Sequence, residues 1–201
     1  MKRISLLLTL LVLTVARLHA QQEKDADPNI RPAGEGVLKF ERMIEVPEIK
    51  RFRDGVLELF PGDTVHLEFE QKGEDLVRPK VVAKVEHPKR TITFKMTQDK
   101  SITMLSRKSE IQKTVAMDCE HRGIGSEEFF PTNLHPTEKG LMAGDSWPNS
   151  VWILRLSHIE VTDKPASDVY HEKVEKARAQ RERNAKQESS KTKSDAEKGE
   201  K

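Results

Sequence analysis

The sequence has 201 residues, with 35 lysines and arginines against 33 acidic residues and a single cysteine. One cysteine makes no internal disulfide, and the near balance of charge gives no electrostatic basis for binding nucleic acid or an anionic membrane. The fold must therefore rest on a hydrophobic core, for which the segment 36–162 is long enough.

Residues 1–20 have the three parts of a secretory signal peptide. Lys2 and Arg3 precede an apolar run over residues 4–16, and Ala20 is a small residue at the expected cleavage point. The run is short for a membrane span, which needs about 20 apolar residues. We therefore expect a secreted or periplasmic protein with no membrane span after cleavage. Losing the three basic residues of this segment leaves 32 basic residues against 33 acidic ones.

The chain after the signal peptide divides into three parts. Residues 21–35 are polar, contain two prolines and are predicted to be a disordered linker. Residues 36–162 alternate apolar and polar side chains over short stretches separated by turn residues, which is typical of antiparallel strands. This pattern predicts an all-β fold, an antiparallel immunoglobulin-like β-sandwich. The predicted strands lie within 36–46 and at 56–60, 64–70, 80–85, 91–96, 101–105, 112–120 and 150–162.

The parity of the apolar residues predicts which side chains face the core. In the last strand the apolar parity changes after His158, which predicts a β-bulge at Ser157–His158. The predicted inward residues are Val65, Leu67 and Phe69, then Val81, Ala83 and Val85, then Ile92, Phe94 and Met96, then Val115, Met117 and Cys119, and finally Trp152, Leu154, Leu156, Ile159 and Val161.

Two segments depart from the strand pattern. Residues 122–149 contain four glycines and three prolines and are predicted to be a long loop, the first place to look for a site. Residues 163–201 form a charged tail, predicted to be a marginal helix over 167–186 and disordered from residue 187. Both segments are candidate contact elements for a protein partner.

The single cysteine, Cys119, has three interpretations: a buried inert thiol, an intermolecular partner or a metal ligand. The buried thiol is favoured, because free cysteine is among the most buried residue types.

A short motif supports the ligand interpretation. Pro61-Gly62-Asp63-Thr64-Val65 resembles a turn and strand common in cupredoxins, which are small secreted sandwiches that bind copper. The resemblance implies a blue-copper centre with two histidines, one cysteine and a weak axial methionine. The residues it would draw on are Cys119, His121 or His135, Met142, and His66 or His87.

A second pair of motifs is similar to the signatures of SGNH-type esterases. These are Gly144-Asp145-Ser146 and Asp168-Val169-Tyr170-His171. A catalytic triad needs rigid, converging side chains, whereas this histidine lies on a charged tail and the sequence lacks alternating strands and helices. We therefore predict no catalytic residues.

Together these observations predict an exported, non-catalytic β-sandwich module with a protein-interaction or accessory role, a protein partner of unspecified identity and no cofactor. The alternative is a cupredoxin-like redox protein that binds copper through Cys119 and nearby histidines.

Overall fold

The computed structural model describes residues 27–39, 42–100 and 102–198. The predicted signal peptide, residues 1–20, lies outside these ranges, as does the first part of the predicted linker. Within the described ranges, no helix has both the length and the apolar character that a membrane span requires.

Most of the described chain is β-strand, and the strands pair antiparallel, so the predicted all-β class is confirmed. The strands are β1 (Ile30–Arg31), β2 (Gly34–Lys39), β3 (Arg42–Val46), β4 (Ile49–Lys50), β5 (Phe52–Arg53), β6 (Val56–Leu59), β7 (Thr64–Lys72), β8 (Asp75–Val82), β9 (Thr91–Asp99), β10 (Ile102–Ser109), β11 (Thr114–Gly123), β12 (Phe130–Thr132), β13 (Met142–Trp147) and β14 (Val151–Thr162). A 3-10 turn spans Pro88–Arg90, and helix α1 spans Ala166–Lys198.

Within the described residues, two five-stranded sheets form the body of the protein. The first sheet has the order β13-β10-β9-β7-β8, and the second has the order β12-β11-β14-β6-β5. Their facing sides share one hydrophobic core, as in a sandwich. Two smaller sheets, β1-β4 and β2-β3, come from the N-terminal part of the chain.

The inner faces of the central strands follow the predicted parity. Each of these strands turns alternate apolar residues into the core, as a period of two requires. The predicted core residues that are buried include Val65, Leu67 and Phe69 of β7, Ile92, Phe94 and Met96 of β9, and Val115, Met117 and Cys119 of β11.

Strand β14 contains the predicted bulge and a second one. At the predicted site His158 has a positive φ of 49°, and the pairing with β11 shifts by one residue there. The pairing shifts again near Trp152, because Gly123 lies opposite Val151 while Arg122 lies opposite Ile153. Trp152 therefore packs outside the sandwich rather than beside Leu154, and its predicted inward position was wrong.

The strand predicted over 80–85 begins and ends earlier. A turn with Gly73 at a φ of 65° leads straight from β7 into β8, which ends at Val82. Ala83 and Val85 lie beyond the end of β8 and are exposed, so their predicted inward positions were wrong.

The predicted linker, residues 21–35, forms strands where the structure describes it. Its Arg31 is buried, and the Nε of this arginine donates to Oδ1 of Asp63 at 3.0 Å. The other oxygen of Asp63 accepts the N–H of Phe60 at 2.9 Å, and Arg51 lies 3.6 Å from the same carboxylate. A segment that looks like a linker by composition is thus held to the sandwich by a buried ion pair.

The N-terminal part of the chain covers the outer face of the second sheet. A separate apolar cluster forms there around Val46, Phe60 and Ile153. Trp152 packs against it and meets the Phe60 ring edge to face, with the ring centroids 5.7 Å apart. The two outward-turned residues of β14 therefore have an apolar environment of their own.

The segment 122–149, predicted to be a loop, supplies one strand to each sheet. β12 pairs with β11 in the second sheet, and β13 pairs with β10 in the first. The segment therefore crosses from one layer of the sandwich to the other, and β12 and β13 are outermost in their sheets.

Helix α1 is docked on the sandwich by its first turns. Val169 is buried, and Tyr170 stacks on His135 with the ring centroids 4.1 Å apart. One turn later Lys173 donates to Asp118 of β11 at 2.8 Å. The helix starts close to the predicted residue 167 and is described past residue 186 to Lys198, in the part predicted to be disordered.

Candidate functional site

Open edges of β-sheets are the places where a further strand can pair, and proteins usually obstruct them with prolines, bulges, charges or short strands. Three of the outermost strands of the two main sheets are obstructed. β5 has two residues, and β12 has three with Pro131 in the middle. β8 contains Pro79 next to Arg78, whose φ of 47° accompanies a bulge in the pairing with β7.

Among the described residues, no strand pairs with the outer edge of the fourth outermost strand, β13, and this strand has none of these obstructions. It is six residues long, pairs with β10 over its whole length without a register shift, and contains no proline, lysine or arginine. Its one charged residue, Asp145, forms an ion pair with the buried Arg107 of β10. The carboxylate of Asp145 is therefore paired with an arginine of its own sheet and does not prevent another strand from pairing with this edge.

Alternate residues of β13 direct their backbone N–H and C=O groups away from β10, toward the open edge of the sheet. The Ser109 N–H donates to the Leu141 carbonyl at 3.3 Å, so this pair belongs to the hydrogen-bonded ladder with β10. Hydrogen-bonded pairs alternate along an antiparallel ladder. The N–H and C=O groups of Met142, Gly144 and Ser146 therefore point away from β10, and all three residues are exposed.

A buried arginine holds β13 in place. Arg107 is fully buried and donates to the Asp145 carboxylate and to the His135 carbonyl. Its burial lowers the pKa of the guanidinium, whereas the neighbouring Asp145 raises it. Because an unpaired buried charge is very costly, this contact fixes β13 and the preceding loop against β10.

A groove of about 580 Å³ adjoins the start of β13. Met142 and Ala143 form one wall, and the first turns of α1, with Tyr170, form the other. Pro136 and Leu141 add apolar surface, so an extended segment added to β13 would pass this groove.

The surface beside the edge is unusually apolar. Met142 is 72 % exposed, and Leu141 immediately precedes it in the chain and is also exposed. On the neighbouring strand β10, Met104 is 53 % exposed and Ile102 is similar. Exposed apolar residues grouped around one open strand are characteristic of an interaction surface. We call β13 with these four residues the β13 edge.

Cys119 lies in the core and is 4 % exposed. Burial raises the pKa of its thiol to about 12, and the charge of Asp145 acts in the same direction. Reactive cysteines are thiolates at neutral pH, so this environment favours the interpretation of Cys119 as a buried, unreactive thiol.

This pKa gives a testable pH dependence. The unfolded chain loses the thiol proton above pH 9, whereas the folded protein keeps it until about pH 12, so stability is lost over that window as pH rises. Between pH 8 and 10.5 we expect the stability of the protein relative to Cys119→Ala to fall by about 2 kcal/mol, at 1.36 kcal/mol per pH unit. Urea unfolding of both proteins at the two pH values measures this. Curves that keep a constant separation would contradict it.

The residues of the copper alternative do not converge. Among the described residues, no group of three or more histidine, cysteine and acidic side chains is arranged to hold a metal ion. His121 lies against Phe130 and Trp147, His135 stacks on Tyr170, and Met142 is on the open edge.

The two other candidate copper ligands have partners of their own. His66 bonds to Thr93 on the outer face of the first sheet, and His87 pairs with Glu68. The structure does not bring either residue to Cys119.

Two groups of residues contain the serine, histidine and aspartate of a catalytic triad, and neither has the geometry of one. Ser146 lies on the β13 edge opposite Met104, whereas Asp168 accepts a hydrogen bond from Ser167 on α1. A second set, Ser157, His158 and Asp118, is close together, but the serine and the aspartate both meet Nδ1 of the histidine. In a catalytic triad the serine and the aspartate contact different ring nitrogens of the histidine.

Sequence reasoning chose residues 122–149 as a candidate contact element but missed the Arg107–Asp145 pair and the strand β13 within that segment. Arg107 has the same parity in β10 as Thr103 and Leu105, which are both buried. This parity was the available signal that Arg107 faces the core. No comparable signal marks β13, because Ala143, Gly144 and Asp145 are poor strand formers.

Comparison with known proteins gives no family assignment. No protein-family model matches the chain, and neither a curated protein nor a solved structure matches it.

Proposed function

We propose that this protein is an exported, non-catalytic module with an immunoglobulin-like β-sandwich, and that it binds protein partners by adding an extended strand to the β13 edge. The observation that carries the proposal is the contrast between the outermost strands. Three of them are obstructed by proline, a bulge or shortness, whereas β13 pairs with β10 without a register shift and contains no proline, lysine or arginine.

Strand addition suits the chemistry of this edge. The outward N–H and C=O groups of Met142, Gly144 and Ser146 supply main-chain hydrogen bonds, which give affinity independent of the partner's sequence. The groove between β13 and α1 supplies selectivity, because a side chain of the added strand can enter it. With Met142, Ala143, Pro136 and Tyr170 around it, the groove favours an apolar side chain.

The position of Gly144 allows a clean test. A Cβ atom there makes only ordinary contact, 3.9 Å from the Leu105 carbonyl oxygen, so substitution does not disturb the sheet. Gly144→Pro removes one outward N–H and no bond to β10. Linear peptides selected from a phage-displayed library on the wild-type protein are expected to bind Gly144→Pro at least about tenfold more weakly, the effect of losing about 1.4 kcal/mol.

Gly144→Ala is the matched control, because it adds a side chain and keeps the N–H. Peptides should bind this variant nearly as well as the wild type. Peptide binding should also slow hydrogen exchange at the amides of Met142, Gly144 and Ser146. Peptides that bind Gly144→Pro and Gly144→Ala equally well would contradict strand addition at β13.

A further inference from the structure

We propose that the natural occupant of the β13 edge is the β13 edge of a second copy of this chain, paired antiparallel about a twofold axis through Gly144. This inference rests on the proposed function, since it names the partner that the open strand accepts. The two first sheets would then become one continuous sheet across the dimer.

The pairing is self-complementary along the strand. With Gly144 opposite Gly144 of the second copy, Met142 lies opposite Ser146 and Ala143 lies opposite Asp145. The outward backbone groups of residues 142, 144 and 146 then meet the same groups of the second copy, as an antiparallel ladder requires. A twofold interface brings the same patch of both copies together. Within residues 142–146 each large or charged residue faces a small one, and at each end of the pairing Trp147 lies opposite Leu141 of the second copy.

This pairing would cover the exposed methionines of the β13 edge. On the outer face Met104 lies next to Ser146 across the β10–β13 pairing. In the dimer Met142 of the second copy lies on the other side of that serine. Met142 can extend over the small Ser146 to reach Met104, because methionine is long and flexible. The twofold axis repeats this contact, so the most exposed apolar side chains of the edge become covered.

The charges of the edge do not oppose this arrangement. Asp145 is held by Arg107 within its own copy, so it faces the small Ala143 of the second copy without a like charge opposite. Lys108 lies beside Met142, whereas its equivalent in the second copy lies level with Ser146, four residues further along β13. Like charges directly opposite would destabilise such a pair, and this pairing contains none.

Charged residues introduced at position 144, on the twofold axis of the dimer, test the proposal. Gly144→Lys and Gly144→Glu each place two like charges at the centre of the interface, so each protein alone is expected to dissociate with a dissociation constant raised about tenfold or more. Mixed together, they should form a dimer again, because lysine then faces glutamate. Analytical ultracentrifugation of the full chain without its signal peptide, at several concentrations, measures each state.

Thr64→Lys is the matched control, since Thr64 is exposed on β7 of the same sheet, with β9 and β10 between it and β13. It should dimerise like the wild type. A wild-type protein that stays monomeric, a Gly144→Lys variant that still dimerises, or a mixture that fails to associate would each overturn the proposal. The peptide experiment, run on dilute monomeric protein, tests strand addition separately, so strand addition can hold even when the second copy is ruled out.

Discussion

Replacing Asp145 with asparagine is expected to lower the free energy of unfolding by about 3–5 kcal/mol, the usual loss when one partner of a buried ion pair is removed. Asparagine keeps the shape of the side chain but leaves the guanidinium of Arg107 buried without a counter-charge. Because Asp145 lies on β13 and Arg107 on β10, the loss should be accompanied by faster hydrogen exchange along β13.

Two further variants make this result specific. Asp99→Asn removes the same charge from an exposed position on β9 and should change the stability by no more than about 0.5 kcal/mol. Arg107→Met in the Asp145→Asn background removes the stranded charge and should recover most of the stability. Equal losses for Asp145→Asn and Asp99→Asn, measured by chemical denaturation, would show that solvent reaches Arg107.

The second large effect is expected at Asp63. Asp63→Asn should cost about 3 kcal/mol, because the buried Arg31 loses its counter-charge and Arg51 loses a neighbouring one. The loss should be local at first, with the N-terminal strands opening before the sandwich does. Hydrogen exchange at the amides of Ile30 and Arg31, together with the unfolding free energy, measures both effects.

Asp54→Asn is the control for Asp63→Asn. Asp54 lies in the turn between β5 and β6 at a φ of 54°, which asparagine tolerates, and its pair with Arg53 is exposed to solvent. Exposed pairs contribute little, so a change within about 0.5 kcal/mol is expected. If both variants were equally stable, the carboxylate of Asp63 would not be what holds the N-terminal segment.

Periodicity predicted the parts of the fold in which local pattern and burial agree. Val65, Ile92 and Val115 each begin a run of alternate buried residues, and the change of parity after His158 located a real bulge. Along most of these strands one face is packed in the core and the other carries polar residues, so the apolar residues alternate, although Glu68 and Ala116 of the other face are also buried.

The remainder depended on contacts between residues distant in the chain. Arg31 and Asp63 are polar and typical of surface segments, and their burial depends on a contact between residues 32 positions apart in the chain. Trp152 was placed on the wrong face because a bulge at an apolar residue leaves no polar interruption to mark it. β13 has little strand propensity of its own, so its pairing with β10 and the Arg107 contact decide its conformation.

The position of β14 affects when the sandwich can be completed during synthesis. It is the last of the described strands in the chain, yet it lies between β11 and β6 in the middle of its sheet, and Arg155 reaches Glu58 across 97 residues of sequence. A nascent chain that stops before Val151 has two halves of a sheet with nothing to join them. Folding of this layer must therefore wait until almost the whole chain has left the ribosome, and contacts of such high sequence separation form slowly. Until then, the side of the shared core that Val151, Leu154 and Leu156 cover stays open to solvent.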